Sequence, residues 1–261
     1  MPIQKQLILA RDIPIISRRQ AADLVEREAE CISEILSSLS AEDWHRPTDC
    51  TLWEVRDVVA HMTGLAEDFT DPAINERREQ DARTRYPERG KMDAENEVQV
   101  DDRRTLPDEK IADEFARVLA QAVQVERGMS ESDRRRTNSL GIPVAYLADV
   151  VHSRDLWMHR IDICRAIGRQ IAHKPHQDQI ISQVMRELSM EWQYPALKLE
   201  LTDGSDSRTF QIGTGEPRTA ARTNSIEYMR MLSGRDPQPP IQLLTGDEQA
   251  IAALAAARVP F

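Results

Sequence analysis

The chain is poor in the residues that would mark a specialised class. Cysteine occurs three times in 261 residues, at Cys31, Cys50 and Cys164. An odd count at wide spacing argues against a disulfide frame and fits free thiols in a reducing cytoplasm. No apolar run approaches the roughly 18 to 20 residues of a membrane span. The apolar patch in the opening MPIQKQLILARDIPIISRRQ is interrupted by Arg11 and Asp12, and it lacks the long apolar region and small-residue cleavage site of a signal peptide. Positive charge is in deficit: 34 Lys and Arg stand against 44 Asp and Glu, a formal net charge of −10. Nucleic acid and anionic membrane both need a cationic face, so neither is expected as a partner. What remains is an ordinary globular composition, 40% hydrophobic and 30% charged, enough to bury a core. The length suggests one large domain or two small ones, and no internal repeat is visible.

The first two-thirds read as helices. Ser17 with Gln20 is a capping-box pattern, and behind it Ala21, Leu24, Val25, Ala29, Ile32, Ile35 and Leu36 recur at helical spacing, predicting a helix to near Leu39. Thr51 with Glu54 is a second such pattern, opening a stripe of Leu52, Val55, Val58, Val59, Met62 and Leu65. Residues 70–90 read as a long loop or frayed helix, and the acidic run DAENEVQVDD as a solvated helix face or loop. Pro107 and Pro143 stand at the first positions of two more helices, with Gly168 as the stop of the second. A further amphipathic helix covers residues 176–191. After Pro195 the period changes to two: LKLELTDG and RTFQIG read as a hairpin turning at Asp203-Gly204, followed by the short helical stretches SIEYMRML and DEQAIAALAAA. The expected fold class is therefore α+β, with a helical domain over residues 1–193 and a small α/β domain over residues 194–261.

The chemistry concentrates in the helix after Pro143. At about 100° per residue His152, Asp155 and His159 fall at roughly 0°, 300° and 340°, on one stripe with Ala148, Leu156, Ile163 and Ala166. Two imidazoles and a carboxylate on an apolar face need partners, because an unpaired buried polar group costs a few kcal/mol. A divalent metal would supply them, and the four-residue step from Asp155 to His159 lets both reach a single ion. His61, on the stripe of Val58 and Leu65, is a candidate third ligand, with Asp57 one turn earlier as an acceptor for its ring. Spacing alone leaves the plainer reading open, in which these are hydrogen-bonded core histidines. Arg154 and Arg160 flank the pattern and are candidates to bind an anionic substrate, as is Arg235 after Gly234; a salt-bridged surface is the alternative for the flanking pair. Cys164 reads as a small core hydrophobe.

The segment WHRPTDCTLWEVRDVVAHMTG, residues 44–64, resembles the entry motif of the DinB-like, mycothiol-dependent maleylpyruvate isomerase N-terminal family, and RDLWMHRIDICRAIGR resembles its second motif. The resemblance implies a DinB-like four-helix bundle followed by a sterol-carrier-like α/β domain, with SIEYMRMLSGR near its usual Gly-Arg ending. It places His61, Asp155 and His159 at the three metal-ligand positions. The family's enzyme carries Glu where Asp155 stands; Asp is one methylene shorter, so its bond to the ion is expected to be direct or through a water. The family's cofactors would be a divalent metal, zinc or nickel, and a low-molecular-weight thiol, mycothiol or bacillithiol. The metal would lower the thiol's pKa for transfer or isomerisation on a small electrophile. Two other classes stay open: a non-enzymatic DinB-like protein that binds metal or a small molecule, and a hydrolase using metal-bound water.

Overall fold

The computed structural model describes residues 7–138, 140–204, 206–235 and 240–261. In chain order the elements are β1 (Leu7–Leu9), α1 (Arg18–Leu36), α2 (Val55–Thr70), α3 (Pro72–Arg85), α4 (Lys91–Asp101), α5 (Asp108–Gly128), α6 (Glu131–Arg135), α7 (Val144–Tyr146), α8 (His152–Ala166), α9 (Gln177–Glu191), β2 (Leu197–Asp203), β3 (Asp206–Ile212), β4 (Thr219–Asn224), α10 (Ser225–Leu232), β5 (Gln242–Thr245) and α11 (Glu248–Ala256). The class is α+β, as the sequence predicts. The chain divides into two compact units, residues 16–172 and residues 1–15 with 173–261. The division falls at 172/173 rather than near 193, because α9 and the N-terminal strand pack with the sheet.

In the helical unit α1, α2, α5 and α8 pack on one another. Ser17 caps α1 as expected: its side chain accepts from Gln20 N–H, and Gln20 Oε1 accepts from Ser17 N–H at 3.1 Å. The shared core includes Val25, Ile32, Val58, Met62, Phe115, Leu119, Leu156 and Ile163. Alpha-helix α2 begins three residues later than the sequence suggests. Its capping box is Glu54 with Asp57, not Thr51 with Glu54, and Leu52 lies outside the helix, 76% exposed. Pro107 and Pro143 each stand one residue before their helix. The helix predicted after Pro143 is interrupted: Leu147–Val151 is π-helical, and α8 begins only at His152. Gly168, at φ +66°, closes α8 as expected, with Arg169 N–H donating to Cys164 O at 2.8 Å and Gly168 N–H to Arg165 O at 3.1 Å.

The segment between 70 and 90, read as a long loop or frayed helix, is mostly the regular helix α3, capped by Asp71, and the acidic run forms most of α4. Their buried faces mix Arg78, Glu97 and Gln99 with Ala82, Ala94, Val98 and Val100, so no continuous apolar stripe marked them. Arg78, almost fully buried, donates to Gly64 O and Asp68 Oδ1 at 2.7 Å and to Asp102 Oδ2 at 3.0 Å, and also pairs with Glu67. Gly64 lets α4 approach α2: a Cβ there would lie 2.5 Å from Gln99 Cβ.

In the second unit the described strands form a five-stranded sheet in the order β1-β3-β2-β4-β5. The predicted hairpin is present, β2 pairing antiparallel with β3 from Leu197↔Ile212 to Asp203↔Asp206. Leu197, Leu199 and Leu201 are buried, in keeping with the period-two pattern.

Candidate metal centre

His61 comes from the middle of α2, and Asp155 and His159 from successive turns of α8. Packing of α2 on α8 brings all three together, 4%, 7% and 3% exposed. Asp155 Oδ1 stands 3.5 Å from His61 Nε2 and 3.4 Å from His159 Nε2. The two rings meet edge to face with centroids 5.1 Å apart, and the Trp53 ring, 5.0 Å from His61, walls one side. One ligand atom from each residue lies within 4.8 Å of the others.

The outer nitrogens fix which atoms face inward. His61 Nδ1–H donates to Gln99 Oε1 at 2.7 Å, and Gln99 Nε2 donates in turn to Asp68 Oδ2 at 2.7 Å. His159 Nδ1–H donates to Asp162 Oδ2 at 3.0 Å. Both Nε2 atoms are thereby turned toward Asp155, as metal-ligating imidazoles usually are. Cys50 Sγ donates to the same Asp162 oxygen at 3.6 Å and lies 4.0 Å from His159 Nδ1. Cys50, His159 and Asp162 form a second candidate ligand group, one that would need the nitrogen Asp162 already holds.

The three side chains are coupled electrostatically. Burial by itself would raise the Asp155 carboxyl, but the facing His159 and His61 outweigh it and hold the carboxyl well below its usual range. Burial would lower His159, but Asp155 outweighs it, with help from Asp162 and Cys50, and holds the imidazole well above its usual value. Both directions favour the pair of an ionised Asp155 with a protonated His159 when no metal is bound. Asp155 Oδ2 is buried with no hydrogen-bond partner among the described residues. The separations of 3.4 and 3.5 Å match the edge of about 3.3–3.6 Å expected of a tetrahedron with ligand bonds near 2.0–2.2 Å. On geometry, charge and the orphaned oxygen, the residues present fit a divalent ion.

The other sequence candidates lie elsewhere. Asp57 does not meet the His61 ring; its Oδ2 accepts from Glu54 N–H at 3.1 Å as part of the α2 cap, and Gln99 takes the role expected of it. His152 is fully buried, but it donates Nδ1–H to Glu126 Oε1 at 2.6 Å and belongs to neither ligand group. Arg160 is spent on Glu28, through Nε to Oε2 at 2.6 Å and Nη2 to Oε1 at 3.3 Å, and this pair is buried rather than at the surface. Arg154 is also buried, about 200° round α8 from His152 and so off the ligand face. Arg235 lies in the sheet unit, where its N–H donates to Arg230 O at 2.9 Å after Gly234 at φ +86°. Sequence reasoning missed Gln99, Asp162, Cys50 and Glu126. Asp162, three residues after His159 on one helix, was the findable one.

The family model of the mycothiol maleylpyruvate isomerase N-terminal domain matches residues 25–164, which include all three ligand candidates. No curated protein matches. Among solved structures, the mycothiol-dependent maleylpyruvate isomerase matches with a TM-score of 0.58 at 18% identity, covering 92% of this chain and 96% of that one. A histidine-to-alanine variant of that enzyme matches with the same TM-score and coverage at 17% identity. At such identity the likeness is one of fold.

Proposed function

Because the chain belongs to the mycothiol maleylpyruvate isomerase N-terminal domain family, we propose that it is a metal-dependent enzyme. It would activate a low-molecular-weight thiol, mycothiol or a close relative, for transfer or isomerisation on a small electrophile. His61, Asp155 and His159 hold a divalent ion, zinc or nickel, in the bundle interior. The observation that carries the reading is the set of three buried ligand atoms on two helices, with Asp155 Oδ2 left over. Three protein ligands leave a position for an exchangeable one, the layout of catalytic rather than structural sites. The bound ion would lower the pKa of the thiol and keep it a nucleophile near neutral pH.

The chain's own residues do the rest. Gln99 and Asp162 hold the two imidazoles by their Nδ1–H groups, so neither ring turns when the ligand exchanges. Asp155 supplies the one negative charge. Trp53 closes a side of the centre with an apolar face. The test is elemental analysis of the purified protein together with a screen for mycothiol-dependent turnover of small electrophiles, maleylpyruvate included. Near-stoichiometric zinc or nickel with thiol-dependent turnover is expected. A protein that takes up neither metal after exposure to excess and dialysis is no metalloenzyme; one that binds metal or ligand without turnover is a binding protein of the same fold.

A further inference from the structure

A second buried polar group lies in the helical unit, outside the ligand set. His152, at the first turn of α8, donates Nδ1–H to Glu126 Oε1 on α5 at 2.6 Å. Phe69 of α2 stacks on its ring, centroids 4.9 Å apart. Both side chains are at most 2% exposed. Among the described residues neither His152 Nε2 nor Glu126 Oε2 has a hydrogen-bond partner. Such atoms cost about 1–3 kcal/mol each when left bare, so they call for a ligand or water.

The tautomer follows from the partner. A carboxylate only accepts, so a proton sits on Nδ1, and in the neutral imidazole Nε2 presents its lone pair. A base oriented by a carboxylate, with its other nitrogen open, is the arrangement that activates a nucleophile. Its position fits that use. His152 and Asp155 are one turn apart on the same face of α8, about 4.5 Å along the axis. The pairings His61 with Asp155 and Phe69 with His152 show α2 and α8 running antiparallel, so the dyad and the ligand set follow each other along one interface. The unpartnered acceptors His152 Nε2 and Asp155 Oδ2 share this face. The unpartnered donor Trp157 Nε1 lies about 140° away from His152. The π-helical stretch Leu147–Val151 ends where His152 begins, an irregularity often found at functional sites.

We propose that His152, oriented by Glu126, is the proton acceptor for the thiol. The S–H bond breaks, its electron pair stays on sulfur, the proton moves to Nε2, and Nδ1–H stays on Glu126. This rests on the thiol reading above. A thiol with an ordinary pKa near 8.5 arrives protonated at neutral pH. Asp155 Oδ1, His61 and His159 are committed to the ion, and among the described residues His152 Nε2 is an unpartnered nitrogen base on the same face of α8.

The test counts protons. Mycothiol is titrated into zinc-loaded wild-type protein and into His152→Gln at pH 7 by calorimetry in buffers of different ionisation enthalpy, with S-methyl mycothiol as control. The wild type should release close to no proton to buffer. His152→Gln should release about one per thiol bound; Glu126→Gln should fall between, and the S-methyl compound should release none with either protein. Equal release from wild type and His152→Gln overturns the dyad while leaving the thiol reading intact. No thiol binding by wild type overturns both. Independently of any thiol, the ¹⁵N shifts of His152 in the wild type should show the Nδ1–H tautomer; an Nε2–H tautomer overturns the proposal even if the variants fail to fold.

Discussion

His159→Ala removes one of the three proposed metal ligands and leaves the apolar stripe of α8 in place, so its effect divides into two measurable parts. In the metal-free protein it leaves Asp155 buried with only His61 opposite it. Breaking a buried pair by removing one partner costs about 3–5 kcal/mol. For a unit of the size of residues 16–172, each kcal/mol moves Tm by about 2–4 °C, so the metal-free variant should melt roughly 6–20 °C lower yet fold at room temperature. The second part is the response to zinc. Free zinc at about a thousand times Kd adds ~4 kcal/mol to the folded state, a rise of roughly 8–16 °C for the wild type. If losing a ligand weakens binding a hundredfold, the same zinc lies at about ten times Kd and adds ~1.4 kcal/mol, a rise of roughly 3–6 °C. Differential scanning calorimetry with and without buffered zinc separates the parts. Asp162→Asn, which alters the carboxylate that accepts from His159 Nδ1–H and Cys50 Sγ, should weaken zinc binding about 10–100-fold, and its zinc-induced rise should fall between those of wild type and His159→Ala. His152→Ala, outside the ligand set, should retain the full zinc-induced rise. A full rise in His159→Ala, or its loss in His152→Ala, would refute the ligand assignment.

Three further outcomes are expected. In the metal-free protein the lowered Asp155 and raised His159 make their pair most stabilising between about pH 4 and 6.5. Above 6.5 the unfolded-state histidine loses its proton first and Tm should fall, whereas the zinc-induced rise should grow with pH because zinc needs His159 deprotonated; a zinc effect flat from pH 5.5 to 8 would contradict this. Gly64→Ala places a Cβ 2.7 Å from Gln99 Cγ and 3.2 Å from its Cα, so α4 must shift; thermal melts should show a loss of about 1–3 kcal/mol, and competition with a chelator should show zinc held at least tenfold more weakly. Asp155 Oδ1 is already a ligand-edge length from both Nε2 atoms, so X-ray absorption on the zinc-loaded protein should find its oxygen bonded directly at about 2.0–2.2 Å. A water-bridged carboxylate, with the zinc beyond bonding distance of Asp155, would sink that expectation.

What the sequence could reveal tracks the kind of pattern each element carries. Helix α1 was legible because its apolar stripe and its capping box agree, and the β2–β3 hairpin because three buried leucines alternate with exposed or half-buried residues. Helices α3 and α4 were not, because their inner faces hold Arg78, Glu97 and Gln99, whose burial depends on partners distant in sequence. The three ligand candidates were legible from spacing on two helices joined to a family motif. Their acceptors were less so. Gln99 reaches His61 only because α4 packs against Gly64, a contact no local pattern encodes. Asp57 has the right spacing to serve His61, but the bare N–H of Glu54 at the start of α2 claims its carboxylate.

Charge balance favours an anionic ligand in the remaining position of the proposed centre, and a thiolate is one. Among the three proposed ligands, neutral His61 and His159 contribute nothing and Asp155 contributes −1, so a divalent ion leaves the ligand set at +1, with the Asp162 carboxylate behind His159 offsetting part of it. A net charge in so closed a place is costly, and a neutral water in the remaining position does not remove it, whereas an anion does. A thiolate brings the sum to zero. In the metal-free protein the proton held between His159 and Asp155 performs the same neutralisation on a smaller scale, which is why these side chains stay buried together without an ion. The neutral sum holds only if the proton leaving the thiol is moved away from the ion. His152 and Glu126 provide for that one turn along α8, where a proton on Nε2 is paired by the adjoining carboxylate and leaves the ligand set untouched.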